Sequence, residues 1–336
     1  MPDEDAVLLR LDSVYKRFRQ RRGGVVQTVI ACNDVSFEVK TRRIVALVGE
    51  SGSGKSTIAR LITGVERVDS GHITVADQQV ERLSRRALRT YRRNVQMVFQ
   101  DPYAALNPLN TVRYTIGRPL INYAGMKEDA SIAKVRDILE TVHLTPPDEF
   151  LEKLPFELSG GQLQRVVIGR AIAASPKLIV ADEPVSMLDV SIRAEVLQLL
   201  AELRDTQGVT ILYITHDLLS AHMIADDMIV LYRGRVVETG DVKTVISRPT
   251  HPYTQLLMAS LPNPWSERDR QVGIPTREPA HGDQPRAGCV FQDRCPYALP
   301  RCQVEEPILQ PTEDGRTVAC HYADVTSGKS GERAWR

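Results

Sequence analysis

The chain has 336 residues, of which 42% are hydrophobic and 25% charged, with a net charge of +1. That balance fits one large globular domain or two smaller ones, and it excludes a chain whose whole surface is built for nucleic acid or a membrane. No apolar run approaches the ~18 residues that span a bilayer, and the acidic start MPDEDAVLLR lacks the basic and apolar parts of a secretory leader, so the expected location is the cytoplasm, with room to dock on something embedded in a membrane.

The first clear element is the β-branched run IVALV (44–48), a buried-strand pattern. It runs into GESGSGKST (49–57), which fits G-x-x-x-x-G-K-[ST]. Gly49, Gly52 and Gly54 let backbone amides face phosphates with no Cβ in the way. The helix expected from Lys55 adds a favourable dipole. Lys55 can reach the β- and γ-phosphates and the Ser56 hydroxyl can ligate Mg²⁺. Ser51, Ser53 and Thr57 complete the set of candidate contacts. A chance glycine loop would not follow an apolar strand and open a helix.

Residues 71–80 read as a hairpin piece. Arg85, Arg86, Arg89, Arg92 and Arg93 could be offered as a nucleic-acid patch, but only Tyr91 among them could stack on a base; a solvated helix face is the reading adopted. From 101 to 174 the pattern is mostly helical with proline-bearing loops, an insertion between strands. Inside it, LSGGQLQR (158–165) is a second anion-binding helix start. Ser159, Gly160, Gly161 and Gln162 would aim amides and a positive dipole end outward, with Ser159 as cap or phosphate contact. This turn has no second lysine and no second acid strand. Its expected ligand is therefore the nucleotide of another subunit, packed head-to-tail.

LIVADEP (178–184) ends a buried strand on two acids. Asp182 would emerge at the carboxyl edge of the sheet, where open α/β sheets bind ligands, and can hold magnesium directly or through water. Glu183 can reach a water beyond the γ-phosphate as general base. Ile192, Val196, Leu199, Leu200 and Leu203 recur at helical spacing, and TILYIT (210–215) is the next strand. Strand–helix–strand order argues for a parallel sheet covered by helices. His216 ends that strand beside the phosphate loop, as a γ-phosphate contact that orients the water. Residues 228–238 form a hairpin turning at Arg233-Gly234.

After about residue 245 prolines cluster and periodicity fades, marking a linker and a small appended module; 326–336 is expected to be disordered. Cys32 stands alone as a small buried apolar residue. Cys289, Cys295, Cys302 and Cys320 are spaced C-x5-C, C-x6-C and C-x17-C, unlike the C-x2-C pairs of ordinary zinc modules. Four thiolates there could bind zinc or an iron–sulfur cluster, with His321 as a spare ligand.

The phosphate loop, LSGGQ, LIVADEP and THD, in that order, resemble an ABC-transporter ATPase subunit over roughly residues 8–245. The resemblance implies an α/β fold: a P-loop NTPase (RecA-like) core, an antiparallel β subdomain, a helical insertion at about 101–174 and a small cysteine-rich extension. It implies ATP hydrolysis with Mg²⁺. By the same resemblance, Gln100 in MVFQDP senses magnesium and water and, with DPYAALN after it, borders a permease-binding groove. Phe18 in YKRF stacks on adenine, Tyr15 being the less favoured candidate. SMLD (186–189) crosses the dimer interface, with Asp189 at its end.

HPYTQLLMASLP and the four-cysteine tail resemble the extension of oligopeptide and dipeptide importer ATPases, placed at 246–325. This implies a [4Fe-4S] cluster on Cys289, Cys295, Cys302 and Cys320, and peptide import, nickel or oligosaccharide being rarer cargoes. The implied partners are two permeases, a second ATPase favoured as a paralogue, and indirectly an extracytoplasmic binding protein, at the cytoplasmic face of the membrane, with no nucleic acid. A soluble ABC ATPase acting on DNA or ribosomes and an exporter ATPase are the competing readings; the single cassette and the cysteine tail count against them.

Overall fold

The computed structural model describes residues 6–22, 25–259 and 287–323. The expected tail at 326–336 and most of the proline-rich stretch lie outside the described residues.

Two sheets organise the chain. The first is antiparallel, in the order β2-β1-β4-β5. It contains β1 (Val7–Arg22), β2 (Val25–Lys40), β4 (Ser70–Val75) and β5 (Gln78–Gln79). The second has the order β11-β12-β10-β9-β3-β8-β7-β6. Its parallel centre is β3 (Ile44–Val48), β6 (Val95–Val98), β7 (Leu178–Asp182), β8 (Thr210–Thr215) and β9 (Asp227–Tyr232). β10 (Arg235–Asp241) turns back on β9 as the expected hairpin.

The central strands are continuous apolar runs because both faces are covered. All of β3, β7 and β8 is buried. The two-residue period sorts their side chains between two cores. Ile44, Ala46, Val48, Ile179, Ala181, Ile211 and Tyr213 face the core shared with the helical insertion. Val45, Leu47, Leu178, Val180, Leu212 and Ile214 face the core under the antiparallel sheet, with Ile58, Leu61 and Ile62 of helix α1 (Lys55–Ile62) and the buried Cys32.

The helix α2 (Arg85–Asn94) leads into β6. Its Tyr91 is buried, while Arg86, Arg89, Arg92 and Arg93 are exposed, a solvated face. The insertion comprises α3 (Pro102–Ala105), α4 (Val112–Ala124), α5 (Glu128–Thr141) and α6 (Gly160–Ile172). Helices α7 (Val190–Gln207) and α8 (Leu218–Ile224) follow β7 and β8. Among the described residues no helix is long and apolar enough to cross a membrane.

The C-terminal residues do not stand apart from this framework. β12 (Thr317–Val318) pairs with β10 and with β11 (Gln310–Pro311). Cys289, Phe291 and Cys302 join the core that also buries Tyr232 and Tyr253.

Candidate active site

The phosphate loop leaves β3 at Gly49 and enters α1 at Lys55. Gly54 has φ 111°, and a Cβ there would sit 2.2 Å from the Ala31 carbonyl oxygen of β2. At Gly49 a Cβ would come 2.2 Å from the Leu231 carbonyl oxygen. The loop is thus wedged between two strands by backbone approach that only glycine permits. Lys55 is 5% exposed, and its Nζ donates to the carbonyls of Gly49 (2.7 Å) and Glu50 (2.9 Å). Burial pulls its pKa below the ordinary lysine value, partly offset by Glu183 and Asp182 nearby. The Ser53 hydroxyl is buried, with no hydrogen-bond partner among the described residues. A buried orphan polar atom is costly, and a phosphate oxygen would satisfy it. Ser51 and Ser56 are exposed and Thr57 is half-buried, on the rim of the loop.

β7 lies two strands from β3, with β8 between them. Asp182 therefore ends β7 beside the loop, and Ser56 Oγ donates to its Oδ1 at 3.2 Å. Burial pushes the Asp182 carboxyl above the usual range, with the Ser56 hydrogen bond acting the other way. A bound cation would favour the ionised form. The Ser56 hydroxyl and Asp182 carboxylate are hard oxygens of the kind Mg²⁺ takes.

Glu183 holds the next position with φ 47°, unusual for a residue with a side chain. Its N–H is fixed by the Ile214 carbonyl of β8 at 2.9 Å. That geometry swings the carboxylate between two neighbours. Gln100 Nε2 donates to Oε2 at 3.0 Å, and His216 Nδ1 lies 3.0 Å from Oε1. Asp217, after His216, caps α8 by accepting from Leu219 N (3.0 Å) and Ser220 N (3.4 Å). Arg193 of α7 reaches Asp217 at 3.4 Å and the Leu188 carbonyl at 3.3 Å, tying the stretch that ends at Asp189 to the histidine segment. Asp217 belongs to the THD motif, whereas Arg193 takes its place from a contact across two loops that no local pattern encodes.

The second turn stays to itself. Ser159 is exposed and forms a reciprocal capping box with Gln162: Gln162 N donates to Ser159 Oγ (3.3 Å) and Ser159 N to Gln162 Oε1 (3.0 Å). Gly160 and Gly161 pack on Leu188 and Ile192 of the segment after Glu183, where a Cβ on Gly161 would meet Ile192 Cγ2 at 2.4 Å. Among the described residues none of Ser159, Gly160, Gly161 and Gln162 joins the hydrogen-bonded group around Lys55, Glu183 and His216. Phe18 is half-buried on β1 opposite Val29, with Lys16 Nζ 5.1 Å from its ring centre.

At the C-terminal end no disulfide joins the cysteines. Cys295 lies within electrostatic range of Cys320, Cys289 and Cys302. Burial pushes the Cys289 thiol up to about 11 and Cys295 up to about 12. Yet among the described residues no three His, Cys, Asp or Glu side chains gather as ligands of a metal ion. The expected four-cysteine metal site is thus not preformed; Cys289 and Cys302 are buried, Cys295 and Cys320 only half-buried. His321, the spare ligand, spends Nε2 on the Glu305 carbonyl at 3.0 Å.

A family model described as ABC transporter matches residues 32–186, and one described as the C-terminal region of oligopeptide/dipeptide transporters matches residues 237–302. A probable peptide ABC transporter ATP-binding protein of Sinorhizobium fredii is 40% identical over 94% of this chain and 89% of its own length. A di/tripeptide transport ATP-binding protein of Pseudomonas aeruginosa is 41% identical over 89% of this chain and 92% of its own. A dimeric ATP-binding cassette solved after hydrolysis with ADP and phosphate superposes with a TM-score of 0.63 at 30% identity, covering 70% of this chain and 99% of that one. On this evidence the chain belongs to the ABC transporter family, as an ATP-hydrolysing ATP-binding subunit.

Proposed function

We propose that this subunit drives uptake of peptides, hydrolysing Mg-ATP at a pocket completed by a second subunit. Glu183, aligned by Gln100 and His216 at 3.0 Å each, carries the catalytic reading. The Gly49–Thr57 loop binds the phosphates, with Lys55 and the orphaned Ser53 hydroxyl as inward donors. Ser56, Asp182 and Gln100 would hold magnesium, whose charge neutralises the phosphates. Glu183 takes a proton from the attacking water as its oxygen bonds to the γ-phosphorus and the bond to the β–γ bridging oxygen breaks, releasing ADP and phosphate. His216 orients the water and contacts the γ-phosphate. Phe18 stacks on adenine.

Ser159, Gly160, Gly161 and Gln162 bind the γ-phosphate of the opposite subunit, and Asp189 lies at the crossing between subunits. The exposure of Ser159 supports this. Gln100 and the stretch 101–107 would border the groove that receives a permease helix; they do not line the groove of about 340 Å³ between β6 and α4, which reaches Phe99 next to them. The subunit then sits on the cytoplasmic face of the membrane with two permeases and a second ATPase, a paralogue, and is served by an extracytoplasmic binding protein; nucleic acid is not a partner.

The peptide cargo rests on the oligopeptide/dipeptide C-terminal match and on the relatives' names. On this reading the cassette occupies 1–245 and the extension 246–325. The four cysteines would hold a [4Fe-4S] cluster, a reading that rests on the tail's resemblance to importer ATPases and not on ligands already gathered among the described residues. Iron–sulfur formation would deprotonate the thiols and draw them together. Co-purification with two membrane permeases and peptide-stimulated ATPase activity tests the function; association with ribosomes instead overturns it. Iron and acid-labile sulfide after anaerobic purification test the cluster, and one zinc per chain without iron overturns it.

A further inference from the structure

The phosphate loop carries an acid of its own. Glu50 follows Gly49, and its carbonyl accepts from the Lys55 Nζ that serves the phosphates. Its carboxylate lies within electrostatic reach of that amine. A free carboxylate there would repel a polyphosphate entering the loop. It is not free. Arg294, 10% exposed and 244 residues away, grips both its oxygens: Nη1 donates to Oε2 at 2.9 Å and Nη2 to Oε1 at 3.1 Å. Such a two-pronged pair is the stronger form of ion pair.

The extension also holds the Glu50 backbone, whose N–H donates to the fully buried Tyr253 hydroxyl at 2.9 Å. The arginine is braced over the rings of Tyr232 and Phe291, each 5.8 Å away. It sits on the turn between Cys289 and Cys295, where Arg294 N donates to Phe291 O at 3.0 Å and Cys295 N to Gln292 O at 3.3 Å. The cysteine turn therefore delivers a cation to the nucleotide site.

We propose that Arg294 is a positioning residue for ATP: it neutralises and turns aside Glu50, so that nucleotide affinity depends on the C-terminal extension. This rests on the reading of Gly49–Thr57 as the phosphate site. The test is calorimetric titration of the full-length chain with Mg-ADP and with the slowly hydrolysed Mg-ATPγS. Arg294→Gln should weaken ATPγS by about tenfold, and ADP, with less charge, by less. In the Glu50→Gln background, where no carboxylate is left to repel, Arg294→Gln should cost less than about twofold.

Arg294→Lys, which keeps the charge but loses the fork, should fall between wild type and Arg294→Gln, and supplies the comparison if Arg294→Gln does not fold. An undiminished loss in the Glu50→Gln background would make Arg294 a packing residue only and overturn the proposal, as would wild-type affinity in Arg294→Gln. Lys55→Ala separates the two readings: if it binds ATPγS like wild type, the phosphate-site reading fails; if it loses binding while Arg294→Gln does not, only the present proposal fails.

Discussion

Glu183 combines an unfavourable backbone with a well-held side chain. Its left-handed φ of 47° costs free energy that a hydrogen bond to Ile214 and two carboxylate partners offset. Replacing it by Gln keeps the shape and removes the base. Hydrolysis should slow by about 10²–10⁴-fold while ATP still binds, and gel filtration with ATP should show a trapped dimer; near-normal turnover would reject the assignment. The sequence made Lys55, Asp182 and Glu183 legible because motif and strand edge place them together. It did not reveal the orphaned Ser53 hydroxyl or the Arg294–Glu50 pair, since burial and a contact across 244 positions leave no local mark.

At the scale of elements, α6 and α7 meet where Gly161 faces Ile192. Gly161→Ala should cost about 1–3 kcal/mol by overpacking, read by thermal unfolding, and Ile192→Ala should recover part of it. A loss unaffected by Ile192→Ala would place the effect elsewhere.

A second junction joins β10, past α9 (Val242–Ser247), to α10 (Pro252–Ala259). The buried Glu238 accepts from Thr250 N (3.0 Å) and His251 N (2.9 Å), and His251 Nδ1 accepts from Tyr253 N (3.0 Å). Burial pulls His251 from 6.5 down to about 3. The unfolded chain therefore binds a proton that the fold refuses. This contribution is whole above about pH 6.5 and is lost towards pH 3, at about 1.4 kcal/mol per pH unit. His251→Asn, which keeps an acceptor, should flatten the pH dependence of denaturant unfolding in that window; an unchanged slope would refute it.

The parallel strands β3, β7 and β8 were legible because each is a short apolar run. The 16-residue β1 and β2 were not. Bulges between Leu11 and Lys16, with left-handed Ser13 and Asp34, interrupt the alternation that marks a strand. β6, only 4 residues long, is too short for a periodic pattern.

At the scale of the molecule, one chain carries a phosphate loop with its acids and a second turn, exposed at Ser159, that among the described residues shares no hydrogen bond with that loop. ATP would bridge two such chains, and losing the γ-phosphate would remove the bonds that hold them closed. The insertion bearing the turn would then move with it and pass the change to the permease groove. The most direct measurement is crosslinking in the assembled transporter, with Ser159→Cys in this subunit and a cysteine in the partner ATPase's phosphate loop. With Glu183→Gln and ATP the two should link across the subunits, and with ADP the link should be lost. No link with ATP, or equal linking with ADP, would contradict a pocket completed by the neighbour.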